Sequence, residues 1–119
     1  YYSVKVEYCF SGLAGINRVA LVNISLHGQK VLALCIEPTQ RFMSPTARRT
    51  IVTDIVQVAR RYRIPLRVIA FHARQFPVDK RHHAKIERHL LAKWVQDSLT
   101  RLRCNWAIYH VSMTNIAAR

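Results

Sequence analysis

The chain has 119 residues, half of them hydrophobic, enough for one packed core, too few for two, and too apolar for a disordered basic tail. Nineteen Lys and Arg stand against six acids, a formal net charge of +13 at pH 7. A domain so charged repels itself unless it lies against a polyanion, nucleic acid before an anionic membrane.

Of the 19 cations 14 are arginine, whose planar fork pairs phosphate through two hydrogen bonds and stacks on bases, which favours nucleic acid. In chain order, "YSVKVEYCF" alternates with period two, placing Tyr2, Val4, Val6, Tyr8 and Phe10 on one face of a half-buried strand. "SGLAG" breaks the pattern, and "NRVALVNISL" resumes it with Ala20, Val22, Ile24 and Leu26 on one face. Gly28 in "HGQ" supplies a tight turn, and "KVLALCIE" is the returning strand of a hairpin.

"PTQRFMSPTARRT" carries a helix start, with Ser44 as N-cap and Pro45 at the first helical position. Ile51, Ile55, Ala59 and Tyr62, widened by Val52 and Val56, form its apolar face. Arg60, Arg61 and Arg63 complement the negative end of the macrodipole, and Pro65 stops the helix. "LRVIAF" is uniformly apolar and reads as a central strand.

"FHARQFPVDKRHHAK" follows, with three histidines, four basic residues and one acid in fifteen positions. Ile86, Leu90 and Trp94, flanked by Leu91, Val95, Leu99 and Leu102, then predict a second helix with Asp79 as N-cap and a basic stripe of Arg81, Lys85 and Arg88. "NWAIYHVSM" is a last strand. The order β-β-β-α-β-α-β over residues 1–119 predicts one α/β domain, a mixed five-stranded sheet with two helices.

That order is similar to the topology of ribonuclease-H-like nucleases, which hold two metal ions with clustered acids. The candidates are Glu7, Asp54 and Asp79, yet the fourth strand ends "AFHA" with no acid where one is needed. His82 and His89 are seven apart with His72 and His83 nearby, but no cysteine or acid completes a zinc spacing. Neither a GxSxG element nor a Cys/His pair offers a nucleophile. Three glycines, Gly12, Gly15 and Gly28, cannot make a P-loop or GxGxxG. No catalytic residue, metal or nucleotide cofactor is therefore expected.

Cys9, Cys35 and Cys104 are odd in number and embedded in apolar alternation, so they read as core thiols of a reducing compartment. Trp94 reads as core, and Trp106 as core or a stacking platform. No apolar run approaches the roughly 20 residues of a membrane span. The chain begins at Tyr1, so a leader is either removed or not included. What remains is the polycation. Arg41, Arg48 and Arg49 surround the first helix start, and Arg74, Lys80, Arg81, His82, Lys85 and Arg88 the second. Two helix N-termini opening from one end of a sheet, among such side chains, suit phosphodiesters.

On "VKVEYCF", "NRVALVNIS", the hairpin "GQKVLALC", the helix "TARRTIVTDIVQVARRYRI" and the strands "PLRVIAFHA" and "WAIYHVSMTN", the chain resembles small-subunit ribosomal protein eleven. It departs from that family in replacing a glycine-rich RNA-contact loop by "RQFPVDKRHH" and in lacking a basic tail after "TNIAAR", a drift expected of an organellar ribosome. Large-subunit ribosomal protein eighteen is similar in topology and hairpin. The resemblance implies a non-enzymatic structural constituent of the mitochondrial small subunit, or of a cytoplasmic one. Its partners would be ribosomal RNA and neighbouring ribosomal proteins, with no small-molecule substrate. A ribonuclease-H-like nuclease and a stand-alone RNA-binding module are the alternatives.

Overall fold

The computed structural model describes residues 4–10, 12–40, 43–72, 76, 78–79, 85–100 and 108–111. The elements are α1 (Val4–Tyr8), β1 (Ile16–Leu26), β2 (Gln29–Pro38), α2 (Pro45–Tyr62), β3 (Leu66–Phe71), β4 (Val78–Asp79), β5 (Lys85–Ile86), α3 (Arg88–Thr100) and β6 (Ile108–His110). Four strands form one mixed sheet in the order β1-β2-β3-β6, and β4 pairs with β5 in a separate two-stranded ribbon.

The β1–β2 hairpin is the long antiparallel arm of the sheet, in register from Leu26↔Gln29 back to Arg18↔Glu37. Its two turn residues, His27 and Gly28, both have positive φ, 51° and 78°, the backbone that matches the right-handed twist of the flanking strands. From β2 the chain crosses through α2 and returns as β3, parallel to β2, and β6 closes the sheet antiparallel to β3. α2 begins as its sequence predicts: Ser44 Oγ accepts from Ala47 N at 3.1 Å, and Pro45 is the first helical residue. It ends on Arg63 in the left-handed region at φ 55°.

Both sheet faces are covered. Leu21, Leu32, Leu34, Ile36, Leu66 and Ile69 pack against Ile51, Ile55 and Ala59 of α2 and against Phe10 beyond α1. Ala20, Val22, Ile24, Ala33, Cys35, Val68 and Ala70 pack against Leu91 and Val95 of α3 and against Phe76. Period two sends alternate residues to opposite layers, so β2 reads as a continuous buried run because each layer has a helix on it. Burial of Cys35 pushes its thiol up to about 12, with Glu7 adding to the effect, so it stays a protonated core residue. Cys9 is half-buried against the α2-side core, and neither Cys9 nor Cys35 is in a disulfide.

Among the described residues the structure is thus a small α/β domain with a four-stranded mixed sheet and three helices, which bears out the α/β expectation but not its five strands or its ribonuclease-H-like topology. The expected first strand is the helix α1: Tyr8 is 77% exposed, whereas Glu7 and Phe10 are buried. The expected second helix starts late. Ile86 belongs to β5, Asp79 to β4, and the face of α3 turned to the core is Leu91, Val95 and Ser98, with Leu90 exposed. Tyr62 is 55% exposed because α2 ends beside it. Trp106 and Cys104 lie outside the described residues.

Candidate functional site

β2 and β3 are parallel and end at the same edge of the sheet, where α2 begins. In open α/β sheets the crevice beyond the carboxyl ends of the strands is the usual place for a ligand. α3 starts toward the same edge on the other face. Arg88 reaches Glu7, which caps Leu21 of β1, and Gln96 reaches Ser25 of the same strand. Eight helical residues rise about 12 Å and four strand residues about 13 Å, so α3 runs alongside β1 in the same direction.

Glu37, at the end of β2, gathers four donors at this edge. Arg18 Nε and Nη2 donate to its two oxygens at 2.9 Å each, Asn17 Nδ2 donates to Oε1, and the Phe76 backbone N–H donates to Oε2. Adjacent strand residues ordinarily point to opposite faces. Asn17 and Arg18 both reach one carboxylate because the β1–β2 register shifts between Ile16 and Arg18, as a bulge re-aims a side chain. Burial pushes the Glu37 carboxyl up, but the hydrogen bonds from Arg18, Phe76 N and Asn17 and the Arg18 charge outweigh it and hold the group below the usual carboxylate range.

The Phe76 ring lies between two neighbours, with the Arg18 guanidinium 5.9 Å from its centroid and the His72 ring 5.8 Å away. His72 is edge-on to Trp94 of α3 at 4.7 Å, and its backbone N–H donates to Ile36 O at 2.8 Å. β4 and β5 pair Val78 with Ile86 and Asp79 with Lys85, and the intervening sequence is Lys80, Arg81, His82, His83, Ala84.

The predicted contact residues divide accordingly. Arg41, Arg74, Lys80, Arg81 and His82 lie outside the described residues. Lys85 is on β5 and Arg88 on α3, so these two do not share a helical stripe. Arg88 is the first residue of α3 and is ion-paired to the buried Glu7, whose Oε2 also accepts from Leu21 N at 2.7 Å. On α2, Arg49 is exposed and Arg48 donates to Met43 O at 2.6 Å and to Tyr109 Oη at 3.3 Å. Among the described residues no three His, Cys, Asp or Glu side chains gather as a metal site. Sequence reasoning missed Asn17, Arg18 and Glu37 altogether. The one available signal was a lone acid ending an apolar strand, in a chain with only six.

No family model matches the chain. Olefin beta-lactone synthetase of Stenotrophomonas maltophilia (strain K279a) is 35% identical to it over 99 residues, 82% of this chain and 17% of that protein. The chain resembles part of that synthetase. Among solved structures, the fatty acid AMP ligase of Legionella pneumophila superposes with a TM-score of 0.70 at 17% identity, over 92% of this chain and 19% of that one. A Legionella pneumophila fatty acyl-adenylate ligase in complex with acyl adenylate and pyrophosphate gives 0.62 at 15% identity, over 92% and 19%. A Mycobacterium tuberculosis fatty acyl CoA synthetase gives 0.59 at 19% identity, over 82% and 18%. The chain therefore spans less than a fifth of the length of each of these proteins.

These similarities overturn the ribosomal reading. The Stenotrophomonas protein and the solved structures named above are enzymes, by name synthetases and ligases, not ribosomal proteins of the small or large subunit. With that reading go the non-enzymatic role and the partners expected for it, ribosomal RNA and ribosomal proteins, together with the exclusion of a small-molecule substrate. The nuclease and RNA-module alternatives gain nothing, and of the proposed nuclease acids Glu7 is already bound by Arg88 and Leu21 N.

Proposed function

We propose that this chain is a substrate-handling portion of an adenylate-forming ligase, and that the cationic stretch Lys80, Arg81, His82 and Lys85 meets the phosphates of an acyl adenylate and its pyrophosphate. The similarity to olefin beta-lactone synthetase carries the reading. The charge of +13 supports it, since an anionic nucleotide substrate needs cations as RNA would.

The chemistry asks for such a group. A substrate carboxylate oxygen attacks the α-phosphorus of ATP, the bond to the bridging oxygen breaks, and pyrophosphate leaves with the electron pair. Charge develops on the transferred and departing phosphates, where fixed cations act most strongly. Lys85 is the preferred candidate for that contact, because its backbone is paired in β5 opposite Asp79, and sites on strands are held more accurately than sites on loops. A β-lactone is the internal ester of a β-hydroxy acid, so activation of a β-hydroxy acid at its carboxyl would prepare attack by its own hydroxyl.

The test is a chimera in which this chain replaces the matching segment of the Stenotrophomonas enzyme. Acid-dependent exchange of labelled pyrophosphate into ATP is measured with fatty and β-hydroxy fatty acids. The expected result is exchange that falls by about 10²-fold on Lys85→Ala. A folded chimera with no exchange on either acid would sink the proposal.

A further inference from the structure

The far end of α2 gathers charge that the proposed crevice does not use. Arg60, Arg61, Tyr62 and Arg63 are all exposed, Tyr62 to 55%. The backbone there is fixed: Arg63, in the left-handed region, donates its N–H to Arg60 O at 3.3 Å, and Ile64 N donates to Ala59 O at 2.9 Å. The Arg61 guanidinium lies 5.8 Å from the centroid of the Tyr62 ring. Two more cations belong to the same end. β3 begins at Leu66, and its register with β2 jumps from Leu32↔Leu66 to Ala33↔Val68, so Arg67 has no partner on β2. Lys30 precedes Leu32 by two residues, which puts it on the α2 face of β2, and it is exposed. No acid occurs in the sequence from Ile55 to Pro77, and neither Arg61 nor Arg63 is ion-paired among the described residues. Asp97 of α3 belongs to the layer on the other face of the sheet.

Part of this charge complements the helix, whose last carbonyls carry a partial negative charge. That does not explain Arg61, whose guanidinium is turned to an exposed aromatic ring instead. A helix end also lacks the outward N–H groups that let a helix start hold a single phosphate. Contact is left to long side chains around an aromatic ring, which suits many anions spread over a surface better than one bound anion.

We infer that Arg61, Tyr62 and Arg63, with Arg60, Arg67 and Lys30 around them, dock on the surface of an anionic phospholipid bilayer; that the anion is lipid and not nucleic acid rests on the ligase reading, whose acyl substrates partition into bilayers. Guanidinium heads reach lipid phosphates while their stems lie along the apolar boundary, and a tyrosine ring sits at the same depth with its hydroxyl in water. α2 has 18 residues, about 27 Å from end to end. A bilayer at its far end therefore leaves the crevice at its start open to water-soluble ATP. The docked chain meets acyl substrate at its concentration in the membrane, not in solution.

Vesicle sedimentation of the 119-residue chain tests this. The probes are vesicles of phosphatidylcholine alone and vesicles in which about a third of it is replaced by phosphatidylglycerol, which gives a negative surface potential. Binding is expected to the second only. Two variants of equal net charge separate this patch from the general charge of +13. One is Arg61→Gln with Arg63→Gly, the glycine retaining the left-handed cap; the other is Arg49→Gln with Lys93→Gln, at exposed positions elsewhere. The first is expected to lower the partition coefficient by about tenfold or more and the second by less than about threefold. Tyr62→Ser is expected to lower it by about threefold with charge unchanged. Equal losses from the two pairs, an unaffected Tyr62→Ser, or no preference for anionic vesicles would overturn the assignment. So would binding to a polyuridylate oligomer that exceeds vesicle binding and falls equally in the first variant, since the patch would then belong to nucleic acid. None of this needs catalysis, so an inactive chimera would overturn the ligase reading while sedimentation still decides the patch.

Discussion

Glu7 and Glu37 are buried and each is bound by an arginine, in a chain whose acids number six. With so much positive charge in surplus, an arginine finds a carboxylate rarely, and where it does the pair specifies a contact more than it adds attraction. Glu37 also carries a pH dependence of known sign. Its folded pKa lies below its ordinary value, so the stability it contributes is present above the unfolded carboxylate pKa and is lost as pH falls through the folded one. Acid titration of the chain followed by tryptophan fluorescence should show a transition below the ordinary carboxylate range. Glu37→Gln should flatten that limb and lower stability near neutral pH; an unchanged acid limb would show that the carboxylate is not the group being titrated.

α2 is the element best specified by local sequence. Ser44→Ala removes the side-chain acceptor for Ala47 N and should destabilise the domain by about 1 kcal/mol in urea unfolding, with Ser44→Asp restoring most of it. The hairpin, α2 and β3 were legible for one reason: each has a turn or cap residue, Gly28, Ser44 or Pro65, bounding an apolar pattern of clear period. α1 was not, because Val6 and Phe10 are spaced by four, which fits a strand face and a helix face equally. Tertiary bonds from Glu7 to Leu21 and Arg88 then favour the helix over the strand propensity of "VKVEY". β4 and β5 were hidden because a two-residue strand shows no alternation, and the apolar spacing of α3 continues backwards through Ile86 into the ribbon. The Glu37 cluster was illegible for a different reason. It joins residues 17, 18, 37 and 76, and no spacing rule links positions so far apart.

At the scale of the molecule, a net charge of +13 states that an anion is near and leaves its size open. The same arginines and helix starts that suit a phosphodiester chain suit a nucleoside triphosphate, so the choice of RNA over a small anion rested on a family resemblance carried by apolar alternation, a pattern that any hairpin on a covered sheet repeats. One further feature belongs at this scale. The outer strand β1 is eleven residues long and would present a row of free backbone groups. Gln96 of α3 meets Ser25 as a neighbouring strand would, with its carbonyl oxygen accepting from Ser25 N at 2.7 Å and its amide donating to Ser25 O at 2.8 Å, while Glu7 occupies Leu21 N. Side chains so placed deny the sheet a fifth member, and with it the route by which identical chains join edge to edge into fibres. Gln96→Ala should therefore leave the melting temperature within a few degrees yet raise light scattering on prolonged incubation at high protein concentration, and a variant that stays as clear as the parent would show that the helix backbone alone shields that edge.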